Sequence, residues 1–422
     1  IPIELLMISK EIITDQKLRF NIEVPSNILD HSVKHHRIRL LKNKINEDPR
    51  NSIARIDIAR EYTVLGEYEK AYKNILIALA LNKENRFILR SSARFLVHIG
   101  KADLANHILH QIAKSTEDPW LLAAEIATSS VLSAPSKLYK LGIKVLDSNK
   151  YRQHHLSELA AALATQEYNF GNLKKAKKFF KAARISPTEN AVAQIIWAYN
   201  KLGLEPNEFK DLQTSRLYEA RARENFSKGN WAVAVNEGIR WFNDQPFSRI
   251  PAQFISYLAS SILEDYTKAI RICEISLEAN PKDFTLLNNI SFALASQNQP
   301  SEAEKYFNRI NELSLDNEQK IIYNATKGLI QFRYKDINKG HFYYNKAIEI
   351  ADKNKFEVYS ILASIYFLKE QTIVGVTTDL SIELLKNRLL KILPASHHPE
   401  VLKIIDNIKK HKSLNGKSLT FH

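Results

Sequence analysis

Cysteine is almost absent from this chain, with Cys273 the single one among 422 residues. That excludes an internal disulfide and favours a reducing compartment, so a cytoplasmic location is expected. Glycine and proline are also sparse, at 11 and 13 residues, and the prolines mostly follow helices or sit in turns. An almost wholly helical chain follows. No apolar run approaches the roughly 18 residues that span a bilayer. Signatures of chemistry are missing too. There is no GxSxG, HExxH or CxxC, and the Gly416 to Ser418 triplet lacks the upstream glycine and strand of a phosphate loop. The pairs His35/His36, His154/His155 and His397/His398 point adjacent side chains about 100° apart on a helix, a poor chelate without a third ligand. Carboxylates are scattered, so no acid/base couple stands out. Cys273 reads as a small packing residue. No catalytic residue, cofactor or metal site is expected, and the chain reads as non-enzymatic.

What is abundant is positive charge. The net value is +14 and the pI about 9.4, which favours an acidic protein segment, a nucleic acid or an anionic surface as partner. At this length one globular core is exceeded, so several domains or a solenoid are expected.

The repeat pattern decides between them. From Asn51, the residues Ile58, Ala59, Tyr62 and Leu65 share one helical face, Gly66 ends that helix, and a second helix carries Ala71, Ile75 and Ala78 inward. About 34 residues later the landmarks return, with Ala93, Gly100 and Ala105 in place of Ala59, Gly66 and Ala71. Small residues recur there because neighbouring helices cross, and a larger side chain would hold the backbones apart. Further copies carry Gly171, Ala176, Phe180, Ala183 and Pro187; Gly229, Trp231, Ala234 and Pro246; Ala269 and Pro281; Ala303 and Phe307; and a weaker copy has Gly340 where alanine is usual. Roughly seven units are readable, over about four fifths of the chain.

On these residues the chain resembles the tetratricopeptide repeat superfamily. The resemblance implies an all-α, right-handed superhelical solenoid of helical hairpins. It also implies a concave groove lined by the first helix of each hairpin, and a role as scaffold or adaptor for a partner protein. Carried onto this sequence, the groove positions of the first two units include Arg60, Phe87, Arg90, Arg94 and His98, a basic cluster suited to a carboxylate or phosphate. Asn289 matches the asparagine that many such repeats use to hold a peptide backbone, and Asn288 lies beside it. The other units lack that asparagine, and the lysine and asparagine pair that clamps a C-terminal carboxylate is missing. A nucleic-acid-binding helical array, or the regulatory portion of a larger protein reaching upstream of Ile1, are the other readings. The lysine run Lys174, Lys175, Lys177, Lys178, Lys181 and Arg184 falls on a second helix, hence on the convex side.

In chain order, Leu18, Phe20, Ile22 and Val24 alternate with polar residues as in a half-buried strand, making residues 1–25 a candidate docking strand for a partner or a second copy. A basic helix then covers the open end of the array. The expected organisation is 1–46 strand-like segment and capping helix, 47–201 first sub-array, 202–212 break at Gly203 and Pro206, 213–352 second sub-array, and 353–422 helical cap and tail. The stretch from Ala134 to Asn149 lacks the small-residue landmarks, and the superhelix is expected to be distorted there.

Overall fold

The computed structural model describes residues 31–202, 217–377, 384–385, 387–388, 401–405 and 407. Every regular element among them is helical. The docking strand Leu18, Phe20, Ile22 and Val24, the Gly203 and Pro206 break and the C-terminal tail lie outside the described residues.

The first array opens with α1 (His31–Glu47). It pairs α2 (Ser52–Val64) with α3 (Tyr68–Leu81), α4 (Arg86–His98) with α5 (Ala102–Thr116), α6 (Pro119–Val131) with α7 (Tyr139–Leu146) and α8 (Gln153–Asn169) with α9 (Leu173–Ala183), and reaches α10 (Glu189–Leu202). The second array pairs α11 (Tyr218–Ser227) with α12 (Trp231–Asp244), α13 (Arg249–Tyr257) with α14 (Tyr266–Ala279), α15 (Phe284–Ser296) with α16 (Pro300–Phe307) and α17 (Asn317–Arg333) with α18 (Ile337–Lys353), then adds α19 (Glu357–Ile373). Each first helix touches the first helix of the next hairpin, from α2 through α11 and again from α13 through α19. That stacking makes the two-layered solenoid of tetratricopeptide-like hairpins.

The repeat landmarks do the packing. Ala59, Ala71, Ala93, Ala105, Ala176, Ala234, Ala269 and Ala303 are all buried where helices cross. Two crossings are tighter still. A Cβ on Gly340 would lie 2.6 Å from a ring carbon of Phe332, and one on Gly328 would lie 2.7 Å from a ring carbon of Tyr344. Glycine therefore replaces alanine in this hairpin because two aromatic rings occupy the alanine methyl positions. In the landmark-poor hairpin α6/α7 the same role falls to Gly142, whose absent Cβ would sit 3.2 Å from Ile126.

The turns share one geometry whatever residue they carry. Gly66, Gly100, Gly171 and Gly229 all adopt positive φ between +71° and +79°, and where the glycine is missing Glu264, Asn298 and Lys335 take the same left-handed position at +56° to +65°. Helix starts are set by side chains that accept from orphan backbone N–H groups. Asn51 accepts from Ala54, Asn85 from Phe87 and Ile88, Asp118 from Trp120 and Leu121, and Asp316 forms a capping box with Gln319. Each such cap contributes about 1 kcal/mol. Asn85, in the short polar stretch after α3, is thus the start signal of the next helix.

Buried apolar residues form two principal clusters, one running from Ile38 to Ala198 and one from Ala234 to Ile405. α1 lies on α2, where Lys34 and Arg37 each sit 3.2 Å from the buried Glu61 carboxylate. The two arrays also touch. The Tyr68 hydroxyl donates to the Ala279 carbonyl at 2.5 Å, Arg60 Nη2 donates to the Asp244 carbonyl at 3.1 Å, and the His98 ring lies 5.1 Å from that of Phe247. Gly66 is held so close that a Cβ there would stand 2.5 Å from the Glu278 carbonyl oxygen. Among the described residues, no helix is long and apolar enough to cross a membrane.

Candidate functional site

The inner layer of the first array carries a cavity of about 370 Å³ that, among the described residues, is bounded only by first helices, α4, α6, α8, α10 and α11. Its floor is alanine: Ala123, Ala124, Ala127, Ala162 and Ala193. Such a floor lets another backbone approach closely. Its rim is polar, with Arg90, Glu158, Thr165, Asn190, Gln194 and Glu219, plus Trp197.

Those polar groups are largely matched to one another. Arg90 Nη2 stands 2.6 Å from the Glu158 carboxylate, which also accepts from Thr188 Oγ1 at 3.2 Å and Asn190 Nδ2 at 3.1 Å. Thr165 Oγ1 donates to Gln194 at 3.1 Å. The Arg90 guanidinium further lies 5.1 Å from the Trp120 ring centroid, and His154 and His155 approach that ring from 6.1 and 6.2 Å. His154 and His155 are therefore aromatic packing partners of Trp120.

The other expected groove residues lie elsewhere. Arg60, Phe87 and Arg94 line a smaller cavity of about 250 Å³ that α12 and its following turn close off with Asp244, Gln245 and Phe247. The sequence-derived basic cluster is thus split. Arg90 belongs to the alanine-floored cavity, and Arg60 and Arg94 to the junction between arrays. Arg94 is exposed yet ringed by protein, and this enclosure, reinforced by the Arg60 and Arg90 charges, lowers its pKa against the opposing pull of Asp244 and Glu219. His98 sits between Tyr68 and Phe247, and desolvation holds its pKa below the ordinary value.

The second array has its own cavity of about 450 Å³, walled by α13, α15, α17 and α19 and floored in part by Tyr344 from the outer helix α18. Asn288 and Asn289 both line it. Asn289 Nδ2 donates to Ser256 Oγ at 2.9 Å, whereas Asn288 Oδ1 is buried without a hydrogen-bond partner. The tyrosines that shape this cavity were not expected as site residues. The apolar character of the α19 sequence is visible, but Tyr344 comes from a second helix, and no periodicity shows that its ring reaches the inner layer. Cys273 is fully buried and its thiol is pushed up to about 12, chiefly by desolvation, so it packs rather than reacts.

No family model matches the chain, and neither does any curated protein. Among solved structures, similar ones include a human IFIT1 dimer with PPP-AAAA, at 14% identity over 92% of this chain and 88% of that one, with a TM-score of 0.37. Yeast Tom70 is similar at 13% identity over 90% and 93%, with a TM-score of 0.33. The TPR domain of P58(IPK) is similar at 18% identity over 70% and 92%, with a TM-score of 0.22.

Proposed function

We propose that this chain is a non-enzymatic scaffold or adaptor that holds a segment of a partner protein along the inner layer of its first array. The observation that carries this reading is the alanine floor of the 370 Å³ cavity, set between polar side chains of the first helices α4, α8, α10 and α11. A partner backbone can lie against Ala124, Ala127, Ala162 and Ala193 without steric cost, while Asn190 and Gln194 stand where main-chain groups would pass. Arg94, which forms no direct ion pair among the described residues, adds a cation for an acidic residue of the partner.

A second reading has its own observation. Lys174, Lys177, Lys178 and Lys181 are all exposed on α9, a convex basic stripe able to face a nucleic-acid backbone. Salt separates the two. Phosphate-driven binding falls linearly in log affinity against log salt, while a groove complex resting on shape and hydrogen bonds depends on it weakly.

The test is affinity purification of the natural partner with the full chain and with Ala127→Trp, which obstructs the groove from an exposed position on its floor. Loss of the partner at unchanged melting temperature is the expected result. An identical partner set, or loss instead on mutating the α9 lysines, contradicts the groove. Arg94→Glu is a cleaner charge test than reversing Arg60, Arg90 and Arg94 together, because Arg90 holds the buried Glu158 and its loss would also cost stability.

A further inference from the structure

The second-array cavity differs in kind from the two cavities described above. A quarter of the whole chain is Asp, Glu, Lys or Arg, yet among the described residues not one charged residue or histidine lines these 450 Å³. Desolvation pushes the Tyr359 and Tyr366 hydroxyls up to about 12 and raises that of Tyr344 well above its ordinary value, so these three stay neutral. The volume falls within the range of roughly 300–1,000 Å³ typical of small-ligand sites.

Three features indicate a built site rather than a gap between helices. Asn288 is only 4% exposed, lines the cavity, and has Oδ1 without a partner. An unpaired buried acceptor costs stability unless a donor meets it. The helix after α13 widens into a π turn at Leu258–Ile262, a form that recurs at functional sites, and Ser261 from this turn lines the cavity. The cavity is also deep. It passes between first helices to the ring of Tyr344 in the outer layer, a ring held in place by its contact with Gly328.

We infer that the second array is a receptor site for a free, uncharged small molecule with an aromatic or branched aliphatic body and one hydrogen-bond donor, which is satisfied by Asn288 Oδ1. A charged ligand would be desolvated among groups unable to compensate it. An extended peptide is the poorer occupant, since Asn289 Nδ2, the group expected to hold a main chain, is engaged by Ser256. The site is separate from the partner groove of the first array, and either could exist without the other.

The experiment uses the full chain and the neutral probe N-phenyl-1-naphthylamine, which carries one N–H donor and fluoresces when shielded from water. Saturable binding with one probe per chain is expected. Ala325→Phe, which fills the cavity, should weaken it at least about tenfold, and Ile322→Trp, a change at a partly exposed lining position, serves the same purpose should the first variant fail to fold. Asn288→Leu should weaken the probe about fivefold, the net worth of one hydrogen bond, while leaving the N-methylated probe unaffected. The sulfonated analogue 8-anilino-1-naphthalenesulfonate should bind at least about tenfold more weakly than the neutral probe. Absence of saturation, equal binding of the sulfonate, or indifference to both filling variants at unchanged helicity overturns the proposal. So does capture of peptides, but not the probe, in a manner blocked by Ala325→Phe, which would make the cavity a side-chain pocket for a protein.

Discussion

The first and second arrays are built from the same hairpin and present the same layer of first helices inward, yet their inner surfaces have opposite chemistry. In the first array the floor is alanine and the walls carry charges already matched, Arg90 with Glu158 and Glu219 with Arg223. In the second, among the described residues, the walls are rich in tyrosine, isoleucine and leucine, no charge lines them, and a buried amide oxygen is left without a donor. The difference shows that the repeat fixes the layers while leaving the inner side chains free. Alanine where helices cross makes the solenoid, and the residues between the crossings determine what lies on it.

The largest expected effect concerns whether the arrays meet in solution. Gly66 and Gly100 occupy the same turn position with φ of +71° and +77°, but a Cβ meets the Glu278 carbonyl at Gly66 and nothing within 4 Å at Gly100. Gly100→Ala should cost about 1 kcal/mol for the left-handed backbone alone. Gly66→Ala should cost about 2 kcal/mol more, because backbone must move. Urea unfolding midpoints read the difference, and equal costs would mean that the junction does not form.

Gly328→Ala comes next, at about 1–3 kcal/mol, since its Cβ would strike the Tyr344 ring. The displaced ring has the second-array cavity beside it, so this variant should also weaken the neutral probe. An unchanged melting temperature with full probe binding would show that Tyr344 does not frame the cavity.

How far such features could be read in advance depends on their range. Gly66, Gly100, Ala71 and Ala105 are legible because one hairpin repeats the demand of the last. Tyr344 and Gly328 are not, because they meet across two helices, and a glycine accommodating a ring is indistinguishable in sequence from any other helix glycine. Arg60, Arg90 and Arg94 look like one cluster when only the first two hairpins are considered. Asp244 arrives from about 180 residues downstream, an approach no local pattern encodes, and divides that cluster between two cavities.

A smaller effect should appear on acidification. The His98 pKa lies below its ordinary value, through desolvation first and the Arg249 charge in addition, with an Ala279 backbone bond opposing. The folded state therefore resists protonation that the unfolded chain accepts near pH 6.5. Stability from this group is full above that pH and declines as pH falls through the lower folded value. His98→Phe keeps the packing against Phe247 and removes the titration, so its melting temperature should fall less than that of the parent between pH 7.5 and 5.5. Parallel curves would place His98 outside the junction.

The smallest effect is at Lys335, which holds φ of +65° where other turns use glycine. Lys335→Gly should stabilise by about 0.5 kcal/mol, the backbone relief partly offset by a freer unfolded chain. Destabilisation would mean that the lysine side chain is needed in the turn.

The contrast between the arrays is tested most directly by amide hydrogen exchange on the full chain with and without saturating N-phenyl-1-naphthylamine. The account predicts slowed exchange in α13, α15, α17 and α19, with α6, α8 and α10 unchanged. Protection centred on the alanine-floored helices of the first array, or spread evenly over both arrays, would contradict it.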